Sequence, residues 1–278
     1  MTINNESIKM FEQYLINEEK SKATIEKYLR DVNKLRKFVN GQEITKIKML
    51  EFKNKLMTEC APTSVNSIIA AVNSFLEFFK QHDLKIKSVK LQRKMFANKE
   101  KELTKAEYGK LLNAAKLKKN KRLYYLMQTI CSTGIRVSEV KYVTVDAVKT
   151  GYVRINCKGK LRVVILPEEL CKILHKYIKS CNINKGPVFV TKTGQPIDRS
   201  NIYHDMKKLC EDAHVDKEKV FPHNLRHLFA RVYYSAEHDI VRLADILGHS
   251  NINTTRIYTI ETGEVHRQQM GKLGLLRC

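Results

Sequence analysis

The chain has 278 residues, and its 51 Lys and Arg against 29 Asp and Glu give a formal net charge of +22. This excess predicts a polyanionic partner and favours a nucleic acid, with an anionic membrane surface as the main alternative. No apolar run approaches the roughly 18–20 residues of a spanning helix, and the polar N-terminus lacks the apolar stretch of a secretory signal. We therefore expect a cytoplasmic protein that does not enter a membrane.

Composition also limits the class of fold. The 43% of hydrophobic residues is enough for real cores, and the length allows one large domain or two ordinary ones. The seven cysteines are scattered and form no C-x-x-C pair, so neither a zinc site nor a disulfide framework is expected.

Apolar residues recur at helical spacing through the first third of the chain. They predict four amphipathic helices. The first contains Phe11 and the third contains Phe52, while the second begins at Thr24 and the fourth at Pro62. Four short helices of this kind pack as a bundle, so residues 1–85 are predicted to form a helical domain. Residues 86–100 are rich in lysine, which is typical of a basic linker and compatible with a strap that crosses a nucleic-acid backbone.

Residues 101–278 are predicted to form a second, mainly helical domain with a small β component. Thr104 and Glu107 have the spacing of a helix capping box. In 151–166, β-branched and aromatic residues flank a lysine-glycine-lysine turn, which predicts a β-hairpin. A further short strand is expected over 188–190. The predicted fold class is therefore α+β, mainly α with a small β-hairpin.

Three segments of the second domain contain the residue types that attack a phosphodiester. Guanidinium groups bind two phosphate oxygens at once and stay protonated, and Arg136 and Arg226 are candidates for that role, with solvated surface arginines as the alternative. The segments read Thr133-Gly134-Ile135-Arg136-Val137-Ser138-Glu139, His223-Asn224-Leu225-Arg226-His227, and Leu247-Gly248-His249 with Tyr258 nine residues beyond the last histidine.

The neighbours of the two arginines have helical spacing. Glu139 lies three residues after Arg136, where it can orient the arginine or a histidine, or form an ordinary salt bridge. His223 has the same spacing to Arg226 and can accept a proton from the nucleophile or donate to a phosphate oxygen. His249 follows a glycine that can end a helix.

Tyr258 is the candidate nucleophile. A phenol has a reference pKa of about 10, so it attacks only where nearby cations stabilise the phenolate. The chain has 12 tyrosines, and Tyr203, Tyr233 and Tyr234 are the alternatives.

His223 and His227 are four residues apart, which is the spacing of a helical zinc pair. Position 224 is Asn and not the Glu of the H-E-x-x-H motif. We therefore expect no metal and no other cofactor, and we interpret His227 as a supporting residue.

In order and spacing, these motifs resemble the tyrosine recombinase (phage integrase) family, over roughly residues 100–260 and more weakly over the N-terminal third. The resemblance implies a SAM-like core-binding domain followed by a catalytic domain. It also implies that the tyrosine forms a 3′-phosphotyrosyl bond to DNA. The catalytic residues would be Arg136, Lys158, His223, Arg226, His249 and Tyr258, with Glu139 and His227 in support.

Lys158 is assigned by the resemblance, which places a catalytic lysine before the glycine of the hairpin turn. There it would protonate the leaving 5′ oxygen. Lys160 is the rival. Cys157 stands where many relatives have glycine, so the turn departs from the usual pattern.

The implied partners are double-stranded DNA and further copies of the chain, in a tetramer on paired sites. The implied activity is site-specific recombination or integration. A type IB topoisomerase-like nicking-closing enzyme shares this chemistry, and an inactive DNA-binding relative shares the fold.

Overall fold

The computed structural model describes residues 1–91, 99–157, 160–258, 267 and 270–272. The chain divides into two compact units, Met1–Arg93 and Lys94–Cys278. Within the described ranges, no helix is both long enough and apolar enough to cross a membrane.

The first unit is a helical bundle, as predicted. One face of each helix is buried, and Phe11 packs edge-on against Phe75 at 5.2 Å between ring centroids. The described helices of this unit are α1 (Asn5–Asn17), α2 (Lys22–Val39), α3 (Lys46–Glu59) and α4 (Pro62–Phe78), followed by a 3₁₀ turn (His82–Leu84).

Side-chain caps decide where these helices begin. The hydroxyl of Ser21 accepts the backbone N–H of Thr24, so α2 begins two residues earlier than Thr24, where the apolar pattern predicts its start. Pro62 occupies the first position of α4, where its missing N–H costs nothing.

Residues 86–89 are attached to α4 by two asparagines. Asn73 accepts the Ile86 N–H at 3.1 Å and donates to the Ile86 carbonyl at 2.8 Å. Asn66 bonds the N–H and carbonyl of Val89 at 2.7 and 2.9 Å in the same way. Each amide side chain thus makes the same two hydrogen bonds to the backbone that an adjacent β-strand would make. As a result, the first basic residues after the bundle lie along its surface.

The second unit surrounds a larger core, in which α6 packs against α11. Its described helices are α5 (Lys105–Leu117), α6 (Lys121–Thr133), α7 (Val145–Thr150), α8 (Glu168–Ser180), α9 (Arg199–Lys208), α10 (Cys210–Ala213), α11 (Pro222–Glu237), α12 (Ile240–Leu247) and α13 (Asn253–Arg256). Its 3₁₀ segments are Lys99–Lys101, Val137–Tyr142 and Lys217–Lys219.

The predicted β-hairpin is present. Strands β1 (Tyr152–Cys157) and β2 (Lys160–Ile165) pair antiparallel, in a register that places Tyr152 opposite Ile165. The predicted capping box is also present, because Thr104 and Glu107 exchange side-chain and backbone hydrogen bonds. These elements confirm the α+β class.

The short strand predicted over 188–190 is wrong. In the described part of the chain, this region forms only two isolated bridges, Thr144 to Pro187 and Val190 to Pro196. Proline has no N–H to donate, so neither bridge extends into a ladder.

Gly134 ends α6 in a left-handed conformation with φ +63°, and a Cβ there would lie 2.5 Å from a ring carbon of Phe229 and 2.9 Å from Leu247. We expect Gly134→Ala to destabilise the protein by about 2–4 kcal/mol, from backbone strain and overpacking together. A Cβ added at Gly109, within α5, would meet nothing within 4 Å. Gly109→Ala should therefore stabilise by up to about 1 kcal/mol. Equal effects of the two changes in denaturant unfolding would contradict this account.

Candidate active site

Arg136 lies directly after the end of α6, at the start of the 3₁₀ segment Val137–Tyr142. Its backbone N–H donates to Oε2 of Glu139 at 3.0 Å, and its guanidinium donates to Oε1 at 2.9 Å. The carboxylate therefore holds both the backbone and the side chain of this arginine. The predicted interaction between Arg136 and Glu139, three residues apart, is therefore present. About 38% of the Arg136 side chain is still exposed to solvent, so it remains open to a phosphate.

The C-terminus of α12 brings three arginines together. The last carbonyls of a helix lack partners within the helix and attract cations. Here each of three consecutive carbonyls accepts from a different guanidinium: Ile246 from Arg162 at 2.9 Å, Leu247 from Arg226 at 2.8 Å and Gly248 from Arg136 at 3.0 Å. We call this group the arginine cluster.

Arg226 is the most deeply placed member of the cluster. Its side chain lies on α11, the residue is 2% exposed, and it donates to the Gly134 carbonyl as well as to Leu247. Burial, and then the charges of Arg136 and Arg162, lower the pKa of Arg226 to about 10, while the nearby Tyr258 raises it. The guanidinium remains charged at neutral pH and lies near Tyr258.

His249 is held in one tautomer. Its Nε2 lies 2.9 Å from an Arg226 nitrogen, and its Nδ1 lies 2.9 Å from the Thr255 hydroxyl. Because arginine can only donate, Nε2 accepts and Nδ1 carries the proton. Burial, followed by the neighbouring charges of Arg226, Arg136 and others, lowers the pKa of His249 to about 4. The imidazole is therefore neutral without a phosphate beside it.

Tyr258 is 5% exposed and lies among three histidines. Its ring meets His227 edge-on at 4.8 Å and stacks on His249 at 6.1 Å between centroids. His227 in turn meets His223 at 4.4 Å. The structure thus places His227 and His249 against the tyrosine, and His223 beside His227. Tyr258 belongs to a small buried cluster with Ala230, Leu243 and Leu247. Tyr233 and Tyr234 are partly buried and pack against this cluster.

The other two histidines are also shifted toward the neutral form. Burial, then His223 and the arginines, lower the pKa of His227 to about 4. His223 keeps a solvent-exposed edge, and burial of the rest of the ring, followed by Arg226 and Arg136, lowers its pKa. A neutral imidazole can accept a proton.

These histidines predict that the folded state loses stability in mild acid. His227 and His249 bind a proton near pH 4 when folded, against a reference value of 6.5. The unfolded chain therefore binds more protons between these values, and the stability present above about pH 6.5 falls as the pH drops toward 4. The melting temperature should decrease across this window at constant ionic strength, and less steeply in His227→Gln. A flat profile would contradict the neutral, buried histidines.

Two contributors were missed by sequence reasoning. Arg162 belongs to the arginine cluster and also binds Glu139, at 3.1 and 2.8 Å to its two oxygens. The alternation of β2, which places Arg162 on the same face as buried Val164, was the signal that could have found it. Thr255 is fully buried and fixes the His249 tautomer, and no sequence pattern marks it.

Lys158 lies outside the described residues. The strands on either side of it, β1 and β2, are described.

Comparison with known proteins identifies the class. The model of the phage integrase family matches residues 101–264, and that of the phage integrase N-terminal SAM-like domain matches residues 8–83. Tyrosine recombinase XerA of Thermococcus onnurineus is 30% identical over 283 residues, which cover 98% of this chain and 96% of that protein. Tyrosine recombinase XerH of Campylobacter jejuni is 36% identical over 167 residues, but the match spans only 47% of its length.

The fold is also that of solved integrases. A lambda integrase dimer bound to a core site superposes with a TM-score of 0.76 at 17% identity, over 95% of this chain and 97% of that one. A lambda integrase tetramer bound to a Holliday junction gives 0.74 at 17% identity, over 91% and 76%. The chain belongs to the phage integrase family, and it is a site-specific tyrosine recombinase.

Proposed function

We propose that this recombinase cuts and rejoins double-stranded DNA through a 3′-phosphotyrosyl bond to Tyr258. The observation that carries the proposal is the position of this tyrosine. It is buried against His227 and His249, and its hydroxyl lies close enough to the Arg226 guanidinium to raise the pKa of that group. A cation in that place stabilises the phenolate that attacks phosphorus.

Arg136 and Arg226 stabilise the transition state. Transfer of the phosphoryl group from one oxygen to another builds charge on the non-bridging oxygens, and fixed guanidinium donors oppose that charge. Arg136 supplies the exposed donor surface, and Arg226 supplies a buried one beside the nucleophile. Glu139 keeps Arg136 in place through the contacts described above.

The histidines and Lys158 handle protons. The Tyr258 oxygen bonds to phosphorus as the bond from phosphorus to the 5′ oxygen breaks. Neutral His223 takes the tyrosine proton, and Lys158 protonates the leaving 5′ oxygen. When the phosphate replaces Arg226 beside His249, its negative charge favours binding of a second proton from solvent at Nε2, and the imidazolium donates that proton's hydrogen bond to a non-bridging oxygen. His227 supports the tyrosine ring.

No external energy source enters this scheme. The phosphotyrosyl bond replaces one phosphodiester bond, and attack by a 5′ hydroxyl of a second DNA restores a phosphodiester and frees the tyrosine. Strand exchange follows when that hydroxyl comes from a paired site. The scheme requires neither ATP nor a metal ion.

The partners are duplex DNA and further copies of the chain, acting in the cytoplasm where the DNA lies. The charge of +22 supports the first partner, and the lambda integrase dimer on a core site and tetramer on a Holliday junction support both. We assign DNA core binding to residues 1–85, a basic linker to 86–100 and catalysis with a C-terminal tail to 101–278.

The experiment that tests the proposal traps the covalent intermediate. DNA from the region that flanks the gene is incubated with the full-length protein, and the attached end is sequenced to find the cleaved phosphate. A substrate with sulfur at the 5′ bridging position of that phosphate should then accumulate a 3′-phosphotyrosyl adduct at Tyr258. No adduct on any flanking fragment, or an adduct on a different tyrosine, would overturn the proposal.

The same substrate tests Lys158. A thiolate leaves without a proton, so Lys158→Ala should slow cleavage of normal DNA severely while leaving cleavage of the sulfur substrate close to the wild-type rate. Lys160→Ala, two positions along the chain, is the matched control. Equal defects on both substrates, or sulfur rescue of Lys160→Ala instead, would move the role of general acid away from Lys158.

A further inference from the structure

Arg162 occupies an unusual place for a charged side chain. It lies on β2 between Leu161 and Val163, which are 82% and 55% exposed, and it points to the opposite, inward face together with Val164. Only 12% of its side chain is exposed. A buried charge is costly unless it is paired. The hydrogen-bond partners of Arg162 therefore decide what this side chain does.

The Arg162 guanidinium joins three separate parts of the site. One terminal nitrogen donates to both oxygens of Glu139, at 3.1 and 2.8 Å, and the other donates to the Ile246 carbonyl at 2.9 Å. Its Nε is buried and has no hydrogen-bond partner among the described residues. Hence the β-hairpin, the 3₁₀ segment Val137–Tyr142 and the end of α12 meet at a single side chain.

Gly248 makes this arrangement possible. A Cβ at that position would lie 2.5 Å from Nε and 2.6 Å from Cδ of Arg162. The arginine therefore lies flat against a glycine backbone, and the orphan Nε faces a surface that has no room for a side chain. Gly248 also has φ +62°, so the same glycine ends α12.

Glu139 carries the effect of Arg162 to the exposed arginine. The carboxylate lies between two guanidiniums, with Arg162 at 2.8 Å and Arg136 at 2.9 Å. Burial lowers the pKa of Arg162 and Glu139 raises it, while Arg136 opposes its charge. Without Arg162, the carboxylate loses the contact that fixes it from the far side, and Arg136 loses its rigid support.

We infer that Arg162 is a positioning residue for the transesterification. It acts through Glu139 on Arg136, and through Ile246 on the backbone that leads to His249. Both of these side chains are thereby held in a fixed position for contact with the phosphate. This inference rests on the proposed function. Arg162 itself touches no reacting atom, because its terminal nitrogens are directed at the carboxylate and the carbonyl.

The chain offers a matched control in Arg122, at the other end of α6. Arg122 also donates to one carbonyl and one carboxylate, Val190 at 2.9 Å and Asp205 at 3.0 Å, and its Nε is also buried without a partner among the described residues. It lies about 18 Å along the helix from Gly134. Replacement of either arginine by lysine keeps the charge and loses the fork of donors.

A double-mutant cycle in the full-length protein separates positioning from folding. We expect Arg162→Lys to slow single-turnover adduct formation about 10-fold or more, since a misplacement of about 1 Å costs on the order of 100-fold. In an Arg136→Ala background, the same change should have a smaller effect, because the route through Glu139 to Arg136 is gone and only the contact with Ile246 remains. Arg122→Lys should change the rate by the same factor in both backgrounds.

Each outcome is decisive. Non-additivity for Arg162 with additivity for Arg122 supports the inference, and melting temperatures show whether the two lysine variants lose similar stability. Equal factors for Arg162→Lys in both backgrounds, or a wild-type rate in the single variant, would overturn it. Adduct formation by the wild type keeps this failure distinct from a failure of the proposed function, in which no variant forms an adduct.

Discussion

Replacement of Tyr258 by phenylalanine is expected to abolish covalent attachment to DNA. The change removes one oxygen and keeps the ring that packs against His227 and stacks on His249. DNA affinity should therefore stay within a few-fold of wild type, while adduct on the sulfur substrate falls below detection. Denaturing gel electrophoresis measures the adduct, and a binding titration at fixed salt measures the affinity.

Tyr233 supplies the control for this prediction. It packs on the same small cluster as Tyr258 but lies on α11. Tyr233→Phe removes an identical oxygen nearby and should leave adduct formation at the wild-type rate. An undiminished adduct in Tyr258→Phe, or its loss in Tyr233→Phe alone, would assign the nucleophile to another tyrosine.

Loss of Arg136 or Arg226, the two arginines proposed to stabilise the transition state, is expected to slow cleavage on the order of 100-fold or more, the usual scale for one lost transition-state donor. Arg136→Ala should do so with little loss of stability, because its side chain is 38% exposed. Arg226→Ala removes the donor to Gly134, Leu247 and His249 in addition, so it should also lower the melting temperature. Single-turnover rates on trapped substrate and thermal melts are measured together.

Two comparisons make the arginine result interpretable. Arg226→Lys keeps a charge beside Tyr258 but not the fork of donors, so it should restore part of the stability and little of the rate. Arg122→Ala removes a part-buried arginine with its own carbonyl and carboxylate partners and should cost stability without a specific rate defect. Rates near wild type in Arg136→Ala or Arg226→Ala would mean that the arginine is structural.

The elements of the fold were predicted well where local chemistry decides them. Helical spacing of apolar residues, the Thr104 to Glu107 capping box and the alternation around the hairpin all depend on neighbours in sequence, and all are present. Prediction failed at the start of α2, where the Ser21 cap competes with the periodicity, and at 188–190, where prolines prevent a ladder.

The sequence by itself determined the charge, the helical class and the residue types of the site, because these follow from composition and from spacing within one turn or strand. Only the tertiary structure decided how the site is held. Arg136 meets the Gly248 carbonyl across 112 positions, and Arg162 meets Ile246 across 84. Every residue carries a carbonyl, so no pattern of side chains marks the three that bind arginine. The packing of α12 against its neighbours makes that choice.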